Sequence, residues 1–114
     1  MQALEGLRVV DMATVLAGPG AARYLADFGA DVIKVEAPAG DATRGMGWRD
    51  PVDDATYMWK LVGRNKRTVV LDLKAEGDRA VLLDLLEDAH VLVENLRPGG
   101  LERLGLAPTD LRLF

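Results

Sequence analysis

Leu7-Arg8-Val9-Val10-Asp11-Met12, followed by Ala13-Thr14-Val15-Leu16-Ala17-Gly18-Pro19-Gly20, decides the fold of this chain. The first six residues read as a strand with a buried character. They run straight into a Gly/Pro-rich loop, which opens a helix over Pro19–Phe28. Pro19 suits a first helical turn, where its missing N–H has no intrahelical partner. Ala21, Ala22, Leu25 and Phe28 recur at helical spacing, and Gly29 provides a C-terminal stop. Asp31–Glu36 then reads as a second strand. The links are short, so strand, helix and strand form one βαβ unit with a right-handed crossover and parallel strands. The turn between strand and helix places free backbone N–H groups and a helix N-terminus at the carboxyl end of a strand. In open α/β sheets this is where ligands with phosphate or other anionic groups bind.

The rest of the chain repeats the alternation. Arg67–Leu73 reads as a third strand, with Thr68, Val69 and Val70 favouring extended backbone. Ala75–Asp88 reads as a helix with a wide apolar face, and Ala89–Glu94 as a fourth strand. Asn95–Gly100 is a turn, Leu101–Leu104 a short helical segment, and Pro108–Phe114 the start of another helix capped near Thr109 or Asp110. Ala37–Asp54 carries Pro, Gly, Asp and Arg without any period and reads as a long loop, either functional or disordered. Ala55–Val62 reads as a short helix. This order defines an α/β chain with a doubly wound parallel sheet. Leu111-Arg112-Leu113-Phe114 resembles an amphipathic helix cut short, so residues 1–114 are expected to be one portion of a longer domain.

Composition narrows the function. The chain has 114 residues, suited to one domain, and 49% of them are apolar. It has no cysteine and a single histidine, His90, which excludes disulfides, thiolate metal sites and His-rich zinc sites. A net charge of −4 argues against nucleic-acid binding. No apolar run approaches the ~20 residues of a membrane span, and the N-terminus lacks a signal-peptide pattern. The chain reads as cytoplasmic. Its cations are clustered, with Arg64, Lys66 and Arg67 followed by Lys74, and Arg97 near Arg103. Such clusters either bind a small anion or are solvated loop ends.

Gly18 and Gly20 match the first two glycines of a dinucleotide fingerprint, and Glu36 stands where an acid would hold a ribose. Arg23 occupies the third glycine position, however, and Pro19 removes an N–H. The segment therefore fits a tight strand-to-helix turn better than a nicotinamide dinucleotide site. Lys74 falls at a crevice mouth beside a helix start. Asn95 and Arg97 follow the fourth strand, and Arg97 could clamp a phosphate or Asn95 could simply cap the turn. The loops after strands one, three and four all belong to the carboxyl edge of one sheet. His90, Asp11, Asp72 and Glu94 have no partner at catalytic spacing, and no metal, Ser/His/Asp or Walker motif is present.

Taken together, Leu4-Glu5-Gly6-Leu7-Arg8-Val9-Val10-Asp11, Val15-Leu16-Ala17-Gly18-Pro19, Leu25 to Glu36, Gly40-Asp41-Ala42-Thr43-Arg44, Arg64-Asn65-Lys66-Arg67, Leu71-Asp72-Leu73-Lys74 and Val93-Glu94-Asn95-Leu96-Arg97-Pro98-Gly99 with Leu101 to Gly105 resemble class III (CaiB/BaiF) CoA-transferases. The resemblance spans nearly the whole chain, in order. It implies a Rossmann-like large domain and an interlocked homodimer for the full-length protein. The implied activity is transfer of CoA between carboxylic acids through an aspartyl mixed anhydride. It also implies that the attacking aspartate lies beyond these residues, so that the chain carries no catalytic residue and is inactive alone. Related members racemise acyl-CoA thioesters, and a non-catalytic nucleotide-binding module is a further alternative. CoA or acyl-CoA is implied as substrate, with no permanently bound cofactor. The implied CoA contacts are Val15, Leu16 and Ala17 in the first loop. Leu71, Asp72, Leu73 and Lys74 fall on the adenine and ribose side. Asn95, Leu96 and Arg97 border pantetheine or phosphate, and Arg103 is a phosphate partner. Leu16 replaces a glutamine and Ala37 a basic residue found in some members, which implies a different acyl group and one phosphate contact fewer.

Overall fold

The computed structural model describes residues 1–107. Strands β1 (Arg8–Asp11), β2 (Asp31–Glu36), β3 (Arg67–Val70) and β4 (Val91–Val93) form one sheet ordered β3-β2-β1-β4, with every pair parallel. Helix α1 (Ala17–Asp27) joins β1 to β2, and α2 (Tyr57–Val62) lies between β2 and β3. Helix α3 (Glu76–Glu87) joins β3 to β4, and α4 (Gly100–Arg103) follows. The α/β class and parallel sheet are those expected from the sequence. The chain winds outward from β1 to β3, then returns to the other side of β1 with β4. The strand order therefore reverses between β1 and β4, and the crevice outside the carboxyl ends at such a reversal is where these sheets take ligands.

Alternation along the strands sorts the core into two layers. Val9 and Val32 pack with Ala22 and Ala26 of α1 on one face. Val10 and Val35 pack with Leu82 and Leu86 of α3 and with Leu101 of α4 on the other. Covering both faces explains why the strands read as apolar runs. The small residues of α1 allow its axis to come close to β1. A Cβ added at Gly18 would overlap the Cβ of Ala13 and lie 3.6 Å from Val93.

Element ends differ from the sequence reading for local reasons. Helix α1 starts at Ala17, two residues before Pro19, because the Gly20 N–H already reaches the Leu16 carbonyl at 2.7 Å. Strand β3 stops at Val70 instead of Leu73. The Leu71 N–H makes a last rung to Glu36 at 2.9 Å, and the Asp72 N–H turns away to the Asp78 carboxylate at 2.7 Å. The long loop is ordered. Asp41 caps a 3-10 turn at Ala42–Gly45 by accepting the Thr43 N–H at 2.8 Å, and Arg49 bridges Thr56. The buried Thr56 in turn caps α2 by accepting the Trp59 N–H at 3.1 Å. The helix expected over Pro108–Phe114 lies outside the described residues.

Gly18→Ala is expected to destabilise the chain by about 1–3 kcal/mol, because the new methyl would overlap the Ala13 methyl, which has no rotamer to escape into and moves only with its backbone. Urea denaturation measures this, and an unchanged midpoint would show that α1 can shift freely on the sheet.

Candidate functional site

Four charged side chains lie beneath the β1–α1 turn, shut off from water. Lys66 Nζ is 2.8 Å from Asp11 Oδ2, and Lys34 Nζ is 3.8 Å from the same oxygen and 3.2 Å from Asp41 Oδ2. None of these side chains is more than 3% exposed. Two cations and two anions cancel, which is the condition for keeping ions in a low-dielectric interior. Burial nevertheless pulls the Lys66 ammonium below the ordinary lysine value, against the opposing bond to Asp11.

The same ions hold the turn. Lys34 donates to the Ala13 carbonyl, Lys66 donates to the Pro19 carbonyl at 2.8 Å, and Asp11 Oδ1 accepts the Ala13 N–H at 3.0 Å. From the far side, Asn95 Oδ1 accepts the Thr14 N–H at 3.0 Å and Asn95 Nδ2 donates to the Thr14 carbonyl at 2.8 Å. Between these anchors Val15 has φ 69°, a left-handed conformation that a β-branched residue rarely adopts.

Glu36 is buried at the end of β2 and gripped by Arg44, with Nε–Oε1 2.7 Å and Nη2–Oε2 2.9 Å. The Arg44 guanidinium lies 3.8 Å over the Trp59 ring. Arg44 lowers the Glu36 carboxyl below its usual value, outweighing burial, which pushes the other way. Glu36 is thus engaged internally, which removes the ribose-binding role that a dinucleotide fingerprint would give it. Of the basic cluster, Lys66 is buried and not solvated, whereas Arg64 and Arg67 are solvated surface cations. Each pairs with an aspartate: Arg64 with Asp27 at 2.6 Å, Lys66 with Asp11, and Arg67 with Asp31 at 2.7 Å. His90 is also structural, since its Nδ1 accepts the Arg8 N–H at 2.9 Å.

Above this foundation lies a groove of about 340 Å³. Leu71, Asp72, Leu73, Lys74 and Leu96 line it together with Thr14, so loops after β1, β3 and β4 meet there, and Ala37 and Pro38 close the β2 side. Lys74 is exposed, and its N–H is fixed by Asp72 Oδ1 at 3.0 Å. The other candidate residues stand apart from this groove. Leu16 and Ala17 line a separate groove of about 390 Å³ between α1 and α2, with Leu61 and Val62 opposite. Val15 is exposed on the turn. Arg97 lies in a small cleft beside Glu94 and Glu102, and Arg103 Nη2 reaches the Pro98 carbonyl at 3.4 Å. Among the described residues no cluster of three or more His, Cys, Asp or Glu side chains could hold a metal ion, and no helix is long and apolar enough to cross a membrane.

Lys34, Asp41, Lys66 and Arg44 carry the geometry of the site but were not singled out by the sequence as its supports. A signal was present: Lys34 and Glu36 sit in a strand whose neighbours are Val32, Ile33 and Val35. Charges in a strand covered on both faces need buried partners.

The sequence model of CoA-transferase family III matches residues 4–114, and the chain belongs to that family. It is 44% identical over 111 residues to a formyl-CoA:oxalate CoA-transferase of Streptomyces avermitilis, covering 97% of this chain and 27% of that one. It is 42% identical over 105 residues to the succinyl-CoA–L-malate CoA-transferase alpha subunit of Chloroflexus aurantiacus, covering 91% and 24%. Among crystal structures, a CaiB/BaiF family protein from Brucella suis superposes with a TM-score of 0.90 at 37% identity, covering 98% of this chain and 30% of that one. A Mycobacterium tuberculosis protein superposes with a TM-score of 0.87 at 42% identity, covering 99% and 30%. The chain thus spans 24–30% of the length of these relatives.

Two outcomes are expected. Lys34→Met leaves Asp41 without its cation and should cost about 3–5 kcal/mol in urea denaturation; an unchanged midpoint would show that water reaches the cluster. The Glu36–Arg44 pair contributes stability that is fully present above the ordinary glutamate value of 4.5 and is lost as pH falls through the lowered folded-state value. Arg44→Gln should therefore lower stability at pH 7 and flatten the acid limb of a stability–pH curve, and a parallel limb would remove the pair from acid unfolding.

Proposed function

We propose that this chain forms the CoA-binding portion of an enzyme that moves CoA between carboxylic acids. The carrying observation is the groove at the strand-order reversal, where Leu71–Lys74 meets Thr14 and Leu96 in a chain that matches the family model throughout residues 4–114. A groove with an apolar wall and one lysine at its rim suits a ligand that is apolar along its length and anionic at one end. In this reading Lys74 meets phosphate, the Leu71 and Leu96 walls flank the pantetheine or adenine, and Arg97 and Arg103 meet further phosphate oxygens from the adjoining cleft. Val15, Leu16 and Ala17 face the thioester end.

The ion-paired carboxylates buried at this edge are ill suited to attack a thioester. Asp11 and Asp41 are locked against lysines and Glu36 against Arg44. In this reading the attacking aspartate, which forms the mixed anhydride, belongs to another part of the polypeptide. The full enzyme is an interlocked homodimer in the cytoplasm. The names of the relatives, a formyl-CoA:oxalate CoA-transferase and a succinyl-CoA–L-malate CoA-transferase subunit, favour transfer over racemisation.

Calorimetric titration of CoA into the chain tests the reading, with NADH as the control ligand. CoA should bind and NADH should not. Lys74→Ala and Arg97→Ala should each weaken CoA binding by roughly 1.5–3 kcal/mol, the range for a charge-assisted contact. Unchanged affinity in both variants would remove these residues from the site, and binding of NADH alone would overturn the reading.

A further inference from the structure

We propose that Asn95 is a positioning residue: its carboxamide adds a side-chain rung to the β1–β4 ladder and so holds the β1–α1 turn in its left-handed conformation. The consequence for ligand binding rests on the CoA-site reading above. The rung itself does not.

The geometry is reciprocal. The last backbone rung between the two strand ends is the Met12 N–H to the Val93 carbonyl at 2.9 Å. Two residues further on, the chains have diverged and no backbone pair joins them. There the Asn95 side chain substitutes for a peptide group, accepting the Thr14 N–H at 3.0 Å and donating to the Thr14 carbonyl at 2.8 Å. A carboxamide has the donor and acceptor of a peptide unit, and only one orientation of it satisfies both bonds. Aspartate or leucine would fail at one end or both. The Thr14 hydroxyl is a minor participant at 3.4 Å, so the rung is made to backbone and is indifferent to the residue type at position 14.

The next residue shows what the rung does. Val15 has φ 69°, and a β-branched residue stays there only when its neighbours leave no alternative. Ala13 is fixed on one side by Lys34 and Asp11, and Pro19 on the other by Lys66. Helix α1 sets Ala17 and Gly18, and the Gly20 N–H holds the Leu16 carbonyl at 2.7 Å, which leaves Thr14 and Val15 to be set from across the crevice, where Asn95 reaches over. With both ends of its amide engaged by Thr14, Asn95 acts on a ligand through the turn. Its neighbours Leu96 in the groove and Arg97 in the adjoining cleft remain the contacting residues.

Amide hydrogen exchange on the 114-residue chain, read beside calorimetric CoA affinity, tests this. Asn95→Ala should speed exchange at Thr14 and Val15 at least ~10-fold, leave Val10 and Leu82 unchanged, and weaken CoA binding. Thr14→Ala should leave exchange at position 14 and at Val15 unchanged, because the rung uses backbone atoms. Should Asn95→Ala also loosen Val10, Asn95→Asp decides instead. It keeps the acceptor, loses the donor, and should give a smaller increase confined to Thr14 and Val15. Unchanged exchange at Thr14 overturns the proposal, and a fall in CoA affinity with unchanged exchange would make Asn95 a direct ligand contact. If the unaltered chain binds no CoA, the CoA-site reading alone fails, and exchange at Thr14 still decides the rung.

Discussion

The structure depends on the pairing of Lys34 and Lys66 with Asp11 and Asp41 beneath the β1–α1 turn. These groups come from β1, from β2, from the cap of the 3-10 turn and from the approach to β3. An apolar layer there would bury the same area at less risk, since taking ions out of water costs several kcal/mol before their attraction is counted. The lysines give what hydrocarbon cannot, because each also donates to a carbonyl of the turn. A loop that must present backbone to a ligand is thereby anchored by directional bonds from below. The groove above it can then stay apolar along its walls and charged only at its rim.

Much of the fold was legible because it follows from short-range rules. The apolar run into β1, the small-residue helix with Gly29 at its end, and the apolar Asp31–Glu36 strand identify a βαβ unit without outside help. The Leu71–Lys74 segment was legible as part of the site because any loop leaving β3 must emerge at the same sheet edge as those leaving β1 and β4. The boundaries were less so. Where β3 ends depends on Asp78 competing for the Asp72 N–H from the first turn of the following helix, and periodicity does not record that.

The charged residues were the hardest to read, and for one reason. A basic cluster such as Arg64, Lys66 and Arg67 looks unbalanced when judged by its neighbours in sequence. Its acids are 37, 55 and 36 residues away, on α1, β1 and β2. The same holds for the loop after β2. Its lack of any period leaves a functional loop and a disordered one equally open, and Asp41, Thr43 and Thr56 order it through side-chain to backbone bonds, while the Arg44 clamp on Glu36 fastens it to the sheet. Leu16 and Ala17 were grouped with Leu71–Lys74 by resemblance, and in space the turn itself separates the two grooves they line.

The Thr14–Asn95 contact spans 81 positions of the chain, and the lysine bonds to Ala13 and Pro19 span 21 and 47. Loop closure over such separations must precede the contacts that reward it. Helix α1 and the β1–β2 pair can form early from nearby residues, but the turn between β1 and α1 cannot take its final shape until the approach to β3 and the exit from β4 have docked. The stretch nearest the N-terminus that is meant to meet a ligand is thus among the last to settle during folding. A nascent chain would show a sheet well before it showed a binding surface.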